Sequence, residues 1–366
     1  MKPQRVCILG IGLIGGSLGM ALTRHGGELE VRGWDVSETT RQEAMARGAV
    51  QIAPGQLNEA VEGADLVIVA TPIRSVLPVL RQALPALKPG MVVTDVASTK
   101  GELAEAIGRI LPPGVEYIGG HPMAGTEGSG IAAADPFLFE NAVYILTPTR
   151  TTGQRAMAML EGLLQLIGAH PLVLGVEEHD RMVAAVSHLP HLAAVSLANA
   201  AGNAETKLPG TLSLAAGGFR DSTRIAMSSP ELWAEIVFSN KTQVLAMLDD
   251  YLEELKKLRG IIRDDCEEEF RSYFRRGDEV RRQVPQKNKG FIHLLYEMVV
   301  QIQDRPGAIA GVINLLADAA INIKDIEILR VREGEAGTLR LAVEDEASLS
   351  LAKEILTKRG YRVFSK

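Results

Sequence analysis

The stretch that decides the fold is RVCILGIGLIGGS at residues 5–17. Its apolar start predicts a short buried strand, and residues 18–25 after it predict a helix. The glycines between them fit G-x-G-x-x-G: the first permits a tight turn, the second lets backbone approach a pyrophosphate, and the third lets the helix pack on the strand. The residues assigned to this dinucleotide-binding turn are Gly10, Gly12, Leu13, Ile14 and Gly15.

An acidic residue follows at the expected distance. Residues 30–34 predict a second strand that ends at Asp35, 20 positions after Gly15. A carboxylate there accepts hydrogen bonds from ribose hydroxyls and repels a 2′-phosphate, which favours NAD over NADP as cofactor. The alternative is that Asp35 only caps the helix that starts near Ser37.

Apolar strands then alternate with helices as far as about residue 175. Near-continuous apolar strands of this kind predict an α/β fold, a Rossmann-type doubly wound parallel sheet covered on both faces. Thr71, Pro72 and Ser98 fall at the carboxyl ends of predicted strands, the edge at which such sheets bind cofactors.

The segment HPMAGTEGSG at residues 121–130 gathers an imidazole, a carboxylate and two hydroxyls within ten residues. Its three glycines and its proline predict a shaped loop that follows a short strand at 116–119. We interpret it as a candidate site; the alternative is a surface turn with one incidental histidine.

From residue 176 the spacing of Ala, Leu and Met predicts an all-helical domain whose apolar excess suggests a second subunit. SHLPH at 187–191 contains a proline that should break or kink its helix. A metal site at its two histidines would need further ligands that the sequence does not nominate. Arg220 and Arg224, four apart after two glycines, could form an anion site or could simply be surface arginines.

The last 70 residues or so have a different pattern. A polar linker precedes a β-α-β-β-α-β order, which predicts a ferredoxin-like sandwich. The expected domains are a sheet domain at 1–175, a helical domain at 176–284, a linker at 285–295 and a small domain at 296–366.

Composition narrows the class of function. The net charge of −6 argues against nucleic acid as a partner. Two cysteines leave no disulfide framework or cysteine metal site, and we expect no signal peptide and no apolar run long enough to span a membrane. The expected location is the cytoplasm, with no membrane partner.

Together these motifs resemble bacterial prephenate dehydrogenases of tyrosine biosynthesis that carry a C-terminal ACT regulatory domain. The resemblance spans essentially the whole chain. It rests on GIGLIGGS at 10–17, DVASTKG at 95–101, HPMAGTEGSG at 121–130, SHLPH at 187–191 and GFRDSTRIA at 218–226, with DRPGAIAGV at 304–312 and INIKDIEI at 321–328 similar to the ACT pattern.

The resemblance implies NAD-dependent oxidative decarboxylation of prephenate to 4-hydroxyphenylpyruvate and CO2. His121 is then the base for the ring hydroxyl, since histidine titrates near neutrality, and Ser98 is its neighbour at the same hydroxyl. Arg224 is the first choice for a substrate carboxylate. The other residues that the resemblance assigns to the substrate site are Arg220, His191, Trp233, Thr126 and Glu127.

The resemblance also implies a homodimer and tyrosine as an allosteric ligand of the ACT domain, with Asp304, Gly307 and Asn322 in the ligand region. Three alternatives stay open: arogenate as substrate, a non-catalytic NAD-linked amino-acid sensor, and a generic 3-hydroxy-acid dehydrogenase. The last usually relies on a catalytic lysine in the helical domain, and no comparable lysine motif follows residue 175.

Overall fold

A computed structural model describes residues 3–24, 29–125, 128–284, 295–303, 305–329 and 337–365 of the chain. The chain divides into two compact units, Met1–Arg281 and Arg282–Lys366. Each unit is described by itself.

A seven-stranded sheet organises the first unit, with strand order β2-β1-β3-β4-β5-β6-β7. The chain therefore reverses its direction of winding at β1 and β3, which are neighbours in the sheet. The strands are β1 (Arg5–Leu9), β2 (Glu30–Trp34), β3 (Leu66–Val69), β4 (Val92–Asp95), β5 (Glu116–Pro122), β6 (Val143–Pro148) and β7 (His170–Val173).

Helices cover both faces of this sheet, as the apolar strands predict. Side chains alternate along β1, so that Val6 and Ile8 enter one core while Cys7 and Leu9 enter the other. The helices are α1 (Leu13–Arg24), α2 (Glu38–Ala46), α3 (Leu57–Val61), α4 (Ile73–Ala83), α5 (Gly101–Ile110) and α6 (Gln154–Leu166). The Rossmann-type architecture is confirmed.

The strand β5 departs from the expectation. It does not end at Gly119 but runs through His121 and Pro122, so His121 is a strand residue rather than a loop residue. The cause is the next strand, β6, which pairs with β5 in antiparallel register and places Ile145 opposite His121. The sheet is thus parallel except for this one pair, because β6 and β7 are again parallel.

The rest of the first unit is helical, as predicted. Asn240 separates α10 from α11, and a turn at Asp265, with a φ of 50°, separates α11 from α12. The helices are α7 (Val176–Val183), α8 (Leu189–Lys207), α9 (Gly217–Thr223), α10 (Pro230–Ser239), α11 (Lys241–Arg263) and α12 (Glu267–Gln283).

One wide turn joins α7 to α8. Residues Ala184–His188 form a single π-helical turn directly before Pro190, so the proline neither ends the helix nor opens a gap in it. Proline lacks an N–H group and crowds the carbonyl one turn earlier, and a wider turn relieves that crowding.

Within the described residues, Val176–Lys207 is the one helical stretch long and apolar enough to cross a membrane by length and composition, although we expected none. Core helices pass the same test. This stretch carries the buried polar residues His179, Asp180 and His188, which hydrogen-bond within the unit.

The second unit has the predicted β-α-β-β-α-β order. Its sheet has the strand order β11-β8-β10-β9 with antiparallel neighbours, and Val300, Leu316, Leu341 and Leu356 belong to its core. The elements are β8 (Tyr296–Ile302), α13 (Ala308–Asp318), β9 (Ile323–Leu329), β10 (Gly337–Val343), α14 (Glu346–Lys358) and β11 (Arg362–Ser365).

Candidate active site

The glycine turn after β1 has the geometry that its spacing predicts. Gly10 has a φ of +93°, and a side chain there would meet the backbone oxygen of Ala70 at 2.7 Å. A Cβ on Gly15 would lie 2.0 Å from the oxygen of Gly10, so only glycine lets α1 pack this closely on the turn. Gly12 faces open space, which leaves backbone N–H groups at the start of α1 accessible to a phosphate.

Asp35 stands beside this turn. One carboxylate oxygen accepts a hydrogen bond from the Ile11 N–H at 3.0 Å, and the other accepts from the Ser37 N–H at 3.0 Å. The cap of α2 is Ser37 itself, whose hydroxyl accepts from the Thr40 N–H. Asp35 therefore ties the end of β2 to the glycine turn, where a ribose would lie, and is not the helix cap.

Thr71 and Pro72 follow β3, the strand next to β1. The methyl carbon of Thr71 would lie 2.8 Å from a Cβ on Gly10, so the two segments are in close contact. The Thr71 hydroxyl is buried and has no hydrogen-bond partner in the structure. A buried hydroxyl without a partner beside a glycine turn fits a polar ligand in this crevice.

His121 lies near the carboxyl end of β5 and is 8% exposed. Its Nδ1 is 2.8 Å from the Nε2 of His179, a fully buried residue of α7. Burial, with the nearby Lys100 ammonium and the imidazoles of His179 and His188, holds the pKa of His121 well below its usual value. His121 is therefore neutral at physiological pH, as a proton acceptor must be.

A buried ion pair lies behind His121. The Lys100 ammonium contacts the Asp95 carboxylate, and neither side chain is exposed to solvent. The Tyr117 hydroxyl donates to the second Asp95 oxygen at 2.6 Å. Burial lowers the pKa of Lys100 and raises that of Tyr117, while the Asp95 carboxylate favours the charged ammonium. Removing either member of the Lys100–Asp95 pair would leave an uncompensated buried charge, which is strongly destabilising.

Ring contacts join three aromatic side chains, His188, Trp233 and His191, in the helical part of the site. Burial lowers the pKa of His188 to about 4. The His188 ring meets Trp233 edge-on with ring centres 6.1 Å apart, and Trp233 stacks on His191 at 3.7 Å. Burial lowers the pKa of His191, and the nearby Arg224 guanidinium lowers it further. These contacts place His191, Trp233 and Arg224 in one region.

Some of the remaining expected site residues have a described position, and others lie outside the described residues. Ser98 is half-buried just beyond β4, the neighbour of β5. Arg220 is exposed on α9, one turn before Arg224, which is also exposed. Thr126 and Glu127 lie outside the described residues, as does Asp304.

Sequence reasoning missed His179, Asp180 and Lys100. His179 and Val183 are four residues apart and both buried, so they lie on the inner face of α7. A histidine at a core position of a predicted amphipathic helix was the available signal. Lys100 offered a weaker one, since nothing local predicts that a lysine after a strand is fully buried.

The glycine turn and the neutral imidazole of His121 lie at the same edge of one sheet, because β1 and β5 run parallel. A glycine turn of the nucleotide-binding pattern and a neutral imidazole at one sheet edge are typical of nucleotide-dependent dehydrogenases.

Comparisons with known proteins identify the family. Three family descriptions match the chain: the prephenate dehydrogenase nucleotide-binding domain at 18–173, the prephenate dehydrogenase dimerization domain at 175–276, and the ACT domain at 296–360. A prephenate dehydrogenase of Bacillus subtilis (strain 168) is 35% identical over 361 residues, which cover 98% of this chain and 97% of that protein.

Two solved structures are similar to about three quarters of this chain. The arogenate dehydrogenase of Synechocystis has a TM-score of 0.70 and 33% identity, covering 76% of this chain and 99% of that one. The prephenate dehydrogenase of A. aeolicus, in complex with hydroxyphenyl propionate and NAD+, has a TM-score of 0.69 and 29% identity, covering 78% and 98%.

The chain belongs to the prephenate dehydrogenase family and carries an ACT domain. The expectation of an NAD-linked dehydrogenase is confirmed at this level.

Proposed function

We propose that the chain catalyses oxidative decarboxylation of prephenate to 4-hydroxyphenylpyruvate and CO2. The observation that supports this most is the neutral, nearly buried His121 at the same sheet edge as the nucleotide turn. NAD, held by the glycine turn and Asp35, supplies a hydride acceptor when it is bound. Proton transfer and the positioning of the substrate are carried out by the residues of this chain.

His121 takes the proton of the ring hydroxyl while hydride leaves the carbon that bears it and the carbon–oxygen double bond forms. Ser98, on the neighbouring strand end, holds the same hydroxyl in reach of the imidazole. The bond to the ring carboxylate then breaks and CO2 departs, while its electron pair moves through the ring to the new carbonyl oxygen, which takes the proton back from His121 and becomes the phenol hydroxyl. Aromatisation makes this loss irreversible, so the protein's task is to position groups and stabilise charge.

Prephenate is a dianion, and the protein carries a net charge of −6. Arg224 is our candidate for one substrate carboxylate, since its planar guanidinium can form two parallel hydrogen bonds. Arg220, one turn earlier, assists by charge. The stacked pair His191 and Trp233 forms an aromatic wall beside Arg224, which suits a six-membered ring.

Arogenate is the second candidate substrate, because the Synechocystis relative is an arogenate dehydrogenase. The two differ only in an amino group in place of the keto oxygen. Measuring NADH formation with each substrate tests the proposal: we expect a higher kcat/KM with prephenate. A higher value with arogenate would reassign the substrate, and no NADH with either would favour a non-catalytic sensor.

We also propose that tyrosine inhibits the enzyme through the ACT domain. Gly307, with a φ of +85°, caps the amino end of α13, whereas Asn322 lies beyond the carboxyl end of this 11-residue helix, which is about 16 Å long. One copy therefore does not bring the two together, and a site that uses both needs a paired copy. Deleting residues 290–366 should preserve activity and abolish tyrosine sensitivity; inhibition that survives the deletion would place the tyrosine site elsewhere.

A homodimer is the proposed assembly. The matched dimerization domain supports it, and so do the apolar side chains exposed on α8 and α11, such as Val195, Leu197, Leu252 and Ile262. Sedimentation of the purified chain should give twice the 39.4 kDa mass.

A further inference from the structure

Asp180 fixes the direction of a hydrogen-bond chain that ends at His121. Its carboxylate accepts the Lys100 N–H at 2.8 Å on Oδ1 and the Gly101 N–H at 2.7 Å on Oδ2, both at the start of α5. Backbone N–H groups only donate, so both carboxylate oxygens of Asp180 act as acceptors in these contacts. Asp180 is thereby held as an acceptor, 5% exposed, at the amino end of a helix.

His179 lies between Asp180 and His121. Its Nδ1 is 2.8 Å from the same Asp180 Oδ1, and its Nε2 is 2.8 Å from the Nδ1 of His121. Because Asp180 accepts, the hydrogen of the first contact is on His179 Nδ1. A neutral His179 then has a lone pair on Nε2, so the hydrogen of the second contact belongs to His121 Nδ1.

This hydrogen-bond direction determines the state of the other ring nitrogen of His121, Nε2. A neutral imidazole carries one hydrogen, and if that hydrogen is on Nδ1, Nε2 is left with a lone pair. The two rings meet edge-on, with centres 5.1 Å apart and planes at 71°, so the contact also sets the ring orientation. Asn240 supports the same element by donating to the Asp180 backbone oxygen at 2.8 Å.

We propose that His179 and Asp180 are positioning residues that hold His121 in its Nδ1–H tautomer, with Nε2 as the proton acceptor for the substrate hydroxyl. The proposal rests on the proposed role of His121 and adds a second imidazole to it. The arrangement parallels the orientation of a catalytic histidine by a buried carboxylate, with His179 inserted between the two.

Nuclear magnetic resonance reads the tautomer directly and does not depend on the reaction. In the full-length chain with ¹⁵N-labelled histidines and NAD, His121 should show a protonated Nδ1 and an unprotonated Nε2 at neutral pH. The signals are identified by their loss in His121→Asn. A proton on Nε2 of His121 in the wild type would overturn the proposal.

Kinetics test the consequence. His179→Phe removes the acceptor and should lower kcat about 100-fold, less than the roughly 10⁴-fold cost of a forced wrong tautomer, with KM for substrate nearly unchanged. His179→Gln should retain most of the activity, because its carbonyl can accept from His121 while its amide donates to Asp180. His170→Phe, on the edge strand β7, is the matched control and should behave as wild type.

A wild-type kcat in His179→Phe would overturn the proposal. A folded His179→Gln variant that is no more active than His179→Phe would overturn it too. If His179→Phe fails to fold, the activity of His179→Gln and the ¹⁵N resonances of the wild type still test the proposal. Besides His179, the charged and titratable groups near His121 are Lys100 and His188. Both must be left as in the wild type when the His179 variants are compared. A wild type that forms no NADH from prephenate or arogenate overturns the proposed function instead, while the resonances still report the tautomer.

Discussion

The polar residues of the site form two groups that differ in their exposure to solvent. The buried group comprises His121, His179, Asp180 and Lys100, none of which is more than 8% exposed. The exposed group comprises Arg220 and Arg224, on α9 and the turn after it. The geometry of the buried group is set by hydrogen bonds and by the Lys100–Asp95 ion pair, as proton transfer requires. The exposed group remains charged and hydrated, which suits the capture of an anion from solution.

This contrast predicts that the two groups affect different kinetic constants. Losses in the buried group should appear in kcat, since they act on the reaction itself. Losses in the exposed group should appear in KM for substrate, since they act on a contact made before and during the reaction.

The largest effect is expected at His121. His121→Asn removes the proton acceptor and should lower kcat by about 10²- to 10⁴-fold, with KM for NAD unchanged. The measurement is steady-state NADH formation, with His170→Asn as the control for loss of an imidazole elsewhere. Activity close to wild type would remove His121 from the mechanism.

Arg224 should have the next largest effect. Arg224→Ala should raise KM for prephenate about 10- to 100-fold, because a hydrogen bond to a charged group is worth about 1.5–3 kcal/mol. Arg224→Lys keeps the positive charge but not the planar guanidinium, so its KM for prephenate should lie between those of the wild type and Arg224→Ala. KM for NAD is the internal control, and an equal rise in both constants would contradict a substrate contact.

The pH dependence should reflect the buried group. Protonation of His121 removes the acceptor, so kcat should fall as pH drops through its pKa in the complex, about tenfold for each unit below it. Since burial and its neighbours lower the pKa of His121, this fall should begin below the usual pH 6.5. A pH–rate profile measures it, and constant kcat down to acid pH would argue against His121 as base.

The smallest effect is expected at Arg220. An exposed charge contributes about 1 kcal/mol or less, so Arg220→Ala should raise KM for prephenate by no more than about fivefold. Added salt should shrink this difference, because it screens exposed charges, and should leave the His121→Asn defect unchanged. A salt-independent loss at Arg220 would indicate that it is buried when substrate binds.

Local sequence determined much of the architecture. The order of strands and helices in both units follows from periodicities of 2 and 3.6 and from turn residues, which depend on near neighbours. The glycine turn is the clearest case, since the φ of +93° at Gly10 and the close approach at Gly15 both require glycine. Asp35 is found where the spacing predicts.

Tertiary structure decided the chemistry of the buried group. His121 was expected in a loop, but pairing with β6 draws it into the sheet. Its partner His179 is 58 residues away in the chain, and Asp180 meets the Lys100 N–H across 80 residues. A pKa and a tautomer depend on which groups surround a ring after folding, so no local pattern around residue 121 could reveal them. The sequence alone therefore predicted a histidine at the cleft, and only the fold made it a buried, neutral and oriented one.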